Sequence, residues 1–64
     1  MADVFLDGKK IMLSKKFSDG LELLEILKVS PQEAIMKLDG KVMPFESGTG
    51  KAKKIEIIRV VFGG

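Results

Sequence analysis

The 64-residue chain contains no cysteine, histidine, tryptophan or tyrosine, and only two prolines. Without cysteine no disulfide framework can form. Without cysteine and histidine the usual soft metal ligands are missing, so no metal site is expected. Thiol and imidazole catalysis are excluded on the same ground. Carboxylates and lysines remain as acid–base groups, but no spacing isolates a pair of them from ordinary surface charge. The chain is therefore not expected to be an enzyme, and no catalytic residue is assigned. A strong excess of one charge is also missing. Eleven basic residues face nine acidic ones, a net charge of +2, too balanced to imply nucleic-acid binding by itself. No apolar run approaches the ~20 residues of a membrane span. Met1-Ala2-Asp3 lacks the charged and apolar regions of a signal peptide, so a cytoplasmic location is the expectation.

What is present suits one small domain with one core. A chain of this length buries only about 60% of the surface its unfolded form exposes, so modest stability is expected. Apolar residues make up 45% and charged residues 31%, an ordinary globular balance that argues against disorder.

Val4-Phe5-Leu6 reads as a strand, Asp7-Gly8 as a hairpin turn, and Ile11-Met12-Leu13 as the return strand. The period then changes. Asp19 is placed to cap a helix, with Glu22 at the capping-box position. Leu23, Leu24 and Leu27 form one helical stripe, with Glu22, Glu25 and Lys28 toward the other side. The helix is expected over about residues 19–28, with Pro31 ending the region. Residues 34–38 read as a third strand, Asp39-Gly40 as a second hairpin turn, and residues 41–43 as a short strand closed by Pro44. Residues 46–54 read as a polar loop, and Ile55 to Val61 is the strongest strand signal. Hairpin, helix, short hairpin and strand, in that order, suggest an α+β sheet packed on one helix. The expected division is a domain over residues 1–62 and a flexible Gly-Gly tail at residues 63–64.

With a helix on one face, each strand should alternate between core and solvent. Val4, Leu6, Ile11, Leu13, Ile55 and Ile57 are assigned to the core. Phe5, Met12, Ile58 and Val60 then fall on the open face, where contiguous apolar groups mark interaction sites. Methionine suits a surface that meets more than one partner. Phe62, beside the tail, serves either as a docking anchor or to finish the strand's packing. Gly48-Thr49-Gly50-Lys51 brings the P-loop to mind, but Phe45 occupies the first glycine position and Ala52 follows the lysine, so nucleotide binding is set aside. Lys51, Lys53 and Lys54 read as a solvated turn, or as a cluster steering toward an acidic partner surface or RNA. Lys9-Lys10 and Lys15-Lys16 read as edge-strand charges that discourage sheet-to-sheet pairing.

Leu21-Glu22-Leu23-Leu24 followed by Leu27, then Pro31-Gln32-Glu33, then Met36 to Pro44, and last Ile55 to Gly64, together resemble the ThiS and MoaD sulfur carriers, and ThiS more closely. In order, they are similar to the family's helix motif, its post-helix turn, its strand, turn, strand and proline, and its last strand with the Gly-Gly tail. The likeness covers nearly the whole chain. Lys51-Ala52-Lys53-Lys54 stands where an acidic turn is usual, Asp19-Gly20 where a threonine–valine pair is common, and Asp39 where asparagine is common.

The resemblance implies a ubiquitin-like β-grasp fold, with a mixed sheet of four to five strands packed on one helix. It implies that a ThiF/MoeB-type adenylating enzyme joins the Gly64 carboxylate to AMP, using ATP that this chain does not itself bind. A persulfide sulfur then displaces AMP, leaving a thiocarboxylate. The sulfur would pass to an acceptor resembling thiazole synthase or the large subunit of molybdopterin synthase, for thiamine or molybdopterin biosynthesis, or to tRNA thiolation. Gly63 and Gly64 suit a narrow channel because they carry no Cβ atoms. On this reading Phe5, Met12, Ile58, Val60 and Phe62 bind partners. An alternative is a ubiquitin-like modifier joined through Gly64 to target lysines. A third reading, a small RNA-binding β module, has only four phenylalanines to stack on bases.

Overall fold

The computed structural model describes residues 2–60. The expectations placed on Val61, Phe62, Gly63 and Gly64 lie outside the described residues.

Two Asp-Gly pairs shape the sheet. Asp7 and Gly8 have φ of 50° and 84°, and Asp39 and Gly40 have φ of 52° and 84°. Two successive left-handed residues make a type I′ turn, whose twist matches that of the strands it joins. Glycine adopts this conformation freely, and aspartate tolerates it better than most side chains. The first turn joins β1 (Asp3–Leu6) to β2 (Lys9–Ile11), with Leu6 opposite Lys9. The second joins β3 (Ala34–Leu38) to β4 (Lys41–Met43), with Leu38 opposite Lys41. A two-residue turn leaves no freedom of register. The return strand β2 therefore begins at Lys9 rather than at the expected Ile11, and Met12 and Leu13 have already left the ladder. Lys9 and Lys10 do lie on an edge strand. Lys15 and Lys16 do not, because they follow β2 in a segment without strand structure.

The last strand, β5 (Lys54–Arg59), occupies the centre of the sheet. It runs parallel to β1 and antiparallel to β3, which gives a five-stranded mixed sheet of order β2-β1-β5-β3-β4. It ends at Arg59, and the N–H of the next residue, Val60, donates to the Glu33 carbonyl at 2.8 Å.

The one α-helix among the described residues, α1 (Gly20–Leu27), starts as its capping residue dictates. Asp19 is extended, and its Oδ1 accepts the Glu22 N–H at 2.9 Å. Glu22 reaches back one residue further than a capping box requires. Its Oε1 accepts from both the Ser18 N–H and the Ser18 hydroxyl, at 2.6 Å each. The helix ends in a left-handed turn at Lys28 (φ 60°), whose N–H points at the Leu24 and Glu25 carbonyls. The next N–H, from Val29, returns to the Leu24 carbonyl at 3.0 Å, so the last turn keeps its acceptors satisfied. This turn, rather than Pro31, stops the helix. Pro31 instead opens a 3-10 turn (Pro31–Glu33) capped by the Ser30 hydroxyl.

Leu23 and Leu24 press against Val4, Met36, Ile55 and Ile57, and these six form the buried core. Three of them were assigned to it from strand parity. The other assigned residues, Leu6, Ile11 and Leu13, pack half-buried around it. Met36 joins because it stands opposite Ile57 across the β3–β5 ladder. The helix covers one face of the sheet, an α+β arrangement. Among the described residues no helix is long and apolar enough to cross a membrane.

Candidate partner face and tail exit

Because Ile55 and Ile57 point at the helix, Lys54, Glu56 and Ile58 must point away from it. The registers extend that face across the sheet. Glu56 stands beside Phe5 on β1 and Lys37 on β3, Phe5 stands beside Lys10 on β2, and Lys37 stands beside Val42 on β4. One same-face step further along β5, Ile58 stands opposite Ile35.

Phe5 and Ile58 thus share the open face on adjacent strands. Both are half-buried. The Lys54 ammonium lies 5.0 Å from the centre of the Phe5 ring, a cation–π contact worth roughly 0.5–1 kcal/mol at an exposed site. Ile35 and Val42 extend the apolar surface with 39% and 63% exposure. Neither was assigned to this face from sequence. The signal was available for Ile35, since placing Met36 and Leu38 inward turns Ile35 outward. Val42 follows only once the two-residue turn at Asp39-Gly40 sets it opposite Lys37.

The structure does not bring Met12 and Val60 into this cluster. Met12 is 90% exposed. It stands beyond the end of β2, on the edge of a groove it shares with Leu13 and Phe17. Val60 lines a hollow of about 510 Å³ beneath the helix C-terminus, with Lys28, Val29, Glu33 and Arg59.

That hollow marks where the chain leaves the sheet, and its geometry rests on Asp7. One carboxylate oxygen of Asp7 accepts the Arg59 N–H at 2.9 Å, and the other accepts Arg59 Nε–H at 2.6 Å. The Asp7 N–H donates to the Ile57 carbonyl at 2.9 Å. With the Val60–Glu33 bond, the end of β5 is therefore held on both sides, by the turn after β1 and by the 3-10 turn before β3. These donors, above all the Arg59 backbone N–H, hold the Asp7 carboxyl below the ordinary aspartate range. The two Ser18 donors lower Glu22 in the same way.

The other end of β5 is held by the second turn. Asp39 Oδ1 accepts the N–H groups of Lys53 and Lys54, each at 2.9 Å, and the Asp39 N–H donates to the Lys54 carbonyl at 2.8 Å. Each aspartate side chain takes over hydrogen bonds of the central strand where its own strand has turned away.

No cluster of three or more potential metal-ligating side chains occurs among the described residues. Compared with protein-family models, curated proteins and solved structures, the chain matches none.

Proposed function

We propose that the chain is a ubiquitin-like sulfur carrier of the ThiS/MoaD type, with a β-grasp fold and Gly64 as its reactive terminus. The observation that carries this reading is the position of β5. The strand that leads to Gly63-Gly64 is the centre of the sheet, parallel to the first strand, and clamped at its exit by Asp7 and Glu33. A tail that must enter another protein's active site needs a fixed point of departure, since misplacements of ~1 Å can cost ~10²-fold in rate. The strand order and the single helix on one face support the β-grasp reading.

The chemistry would proceed in balanced steps on the partner enzyme. The Gly64 carboxylate attacks the α-phosphate of ATP, giving an acyl-adenylate and releasing pyrophosphate. A persulfide sulfur attacks the acyl carbon and AMP departs, leaving an acyl disulfide. A thiol then cleaves the sulfur–sulfur bond, becoming a disulfide itself and releasing the thiocarboxylate. We place this reaction in the cytoplasm, where ATP is available. Phe5 and Ile58, with Ile35 and Val42, would meet the adenylating enzyme or the sulfur acceptor.

The test is the intact mass of the protein after incubation with ATP, a persulfide source, a thiol reductant and adenylating enzymes of the ThiF/MoeB type. The expected result is a gain equal to exchange of one oxygen for sulfur, absent when Gly64 is deleted or one residue is added after it. If several such enzymes give neither adenylate nor thiocarboxylate, the reading fails. Recovery of the chain joined through Gly64 to target lysines, without thiocarboxylate, would establish a modifier instead.

A further inference from the structure

The edge of β2 borders a groove of about 590 Å³ on the side of the molecule away from the tail exit. Its apolar floor includes Leu13 and Phe17, both packed on the core, and Met12 stands exposed at its edge. The opposite lip is formed by Thr49 and Gly50. The two walls are tied together: the Thr49 N–H donates to the Ser18 carbonyl at 3.0 Å, and Asp19 forms an isolated β-bridge with Gly48. The groove is therefore built into the fold and needs no rearrangement to form.

Its rim is basic. Lys10, Lys15 and Lys16 all line it, against one carboxylate, Asp3, which lies 3.4 Å from Lys10. Lys15 and Lys16 have no ion pair among the described residues. An apolar floor beside two ammonium groups, Lys15 and Lys16, that have no ion pair among the described residues favours an occupant with apolar side chains flanked by carboxylates.

We propose that this groove docks an acidic segment of a partner protein, with an apolar side chain seated against Met12, Leu13 and Phe17 and carboxylates paired with Lys15 and Lys16. The groove touches the start of β5 at Ile55, and the tail leaves from its other end. Roughly 17 Å of strand separates the two ends. A partner held here sits at the end of β5 opposite to Arg59. The inference does not depend on the chemistry of Gly64 and goes beyond the sulfur-carrier reading.

The probe is a short fluorescent peptide of glutamates around one phenylalanine, titrated into the full chain by anisotropy and by ¹H–¹⁵N shift mapping. We expect saturable, salt-weakened binding with shifts concentrated at residues 10–17 and 49–52. Lys15→Glu/Lys16→Glu should weaken it about tenfold or more, since rim charges govern steering and close pairs add affinity. Lys28→Glu/Lys41→Glu, which changes the net charge equally but lies off the groove, should leave it within about twofold. Replacing the peptide's phenylalanine by serine should also weaken it. The proposal is overturned if shifts fall on the Phe5–Ile58 face, if both charge-reversed variants lose affinity equally, or if no binding appears at millimolar peptide. It is likewise overturned if a single-stranded oligonucleotide occupies the groove more tightly than the peptide. Because the readout is peptide binding, its failure leaves the thiocarboxylate test unaffected.

Discussion

Asp7 does three things at one position: it opens a type I′ turn, accepts the Arg59 backbone N–H, and pairs with the Arg59 side chain. Its effect on stability has a definite sign. The folded state holds the carboxyl below its unfolded value of roughly 3.9, so the contribution is fully present above that value. It is lost as pH falls through the folded value. Glu22 acts in the same direction. Thermal melts across the acid range should therefore lose stability progressively below about pH 4, and Asp7→Asn should flatten that loss. An Asp7→Asn profile parallel to that of the parent protein would refute the assignment. Asp39 combines a left-handed turn conformation with an acceptor for the start of β5, and two substitutions test the pair together. Asparagine tolerates the left-handed conformation and keeps an acceptor for the Lys53 and Lys54 N–H groups, so Asp39→Asn should change stability by less than about 0.5 kcal/mol. Asp39→Ala loses both features and should cost about 1–2 kcal/mol in urea unfolding. Equal costs for the two variants would mean that neither the acceptor nor the turn conformation at this position contributes.

At the scale of the element, α1 is positioned by a residue with no side chain. A Cβ on Gly20 would lie 2.8 Å from the Phe45 carbonyl oxygen and 2.7 Å from Met36 Sδ. The Leu21 N–H bonds to that same carbonyl at 3.1 Å. Met36 can shift its flexible end, but the Phe45 carbonyl is backbone and cannot yield without moving the loop. This close approach is the physical reason for glycine after the Asp19 cap. Helix propensity alone favours alanine by about 1 kcal/mol. The structure requires the opposite outcome, a loss of about 1–3 kcal/mol for Gly20→Ala from overpacking. Chemical denaturation decides between them, and a stabilised Gly20→Ala protein would show that the helix does not abut the loop in this way.

At the scale of the molecule, the sheet separates two surfaces. One is spent on the helix and holds the core. The other carries Phe5, Ile35, Val42 and Ile58 among Lys37, Lys54 and Glu56. Ile58 is half-buried rather than sealed in the core, so a charge there should be tolerated by the fold. Ile58→Glu is expected to retain a cooperative melt while reducing the rate of the proposed adenylation about tenfold or more, the effect of a central interface residue. Unchanged adenylation in a folded Ile58→Glu protein would remove this face from the proposed interface. The chain is small enough that total stability is of the order of 3–10 kcal/mol, so the melt must accompany every rate.

Local chemistry legible in the sequence decided the elements. Asp-Gly placed both turns, the Asp19 cap and the leucine stripe placed the helix, and residues 34–38 and 41–43 match β3 and β4 as read. Alternation on β1 and β5 also assigned the correct side of the sheet to Val4, Ile55 and Ile57. These signals are local because turn conformation, capping and side-chain period depend on neighbours only a few residues away. Tertiary structure decided the rest. The central position of β5, the bonds from Asp7 and Asp39 to its two ends, and the meeting of the Lys10–Phe17 segment with the Thr49–Gly50 lip all join residues far apart in the chain. Such contacts depend on which strands become neighbours, and that follows from burying one common apolar face against the helix, a property of the whole chain.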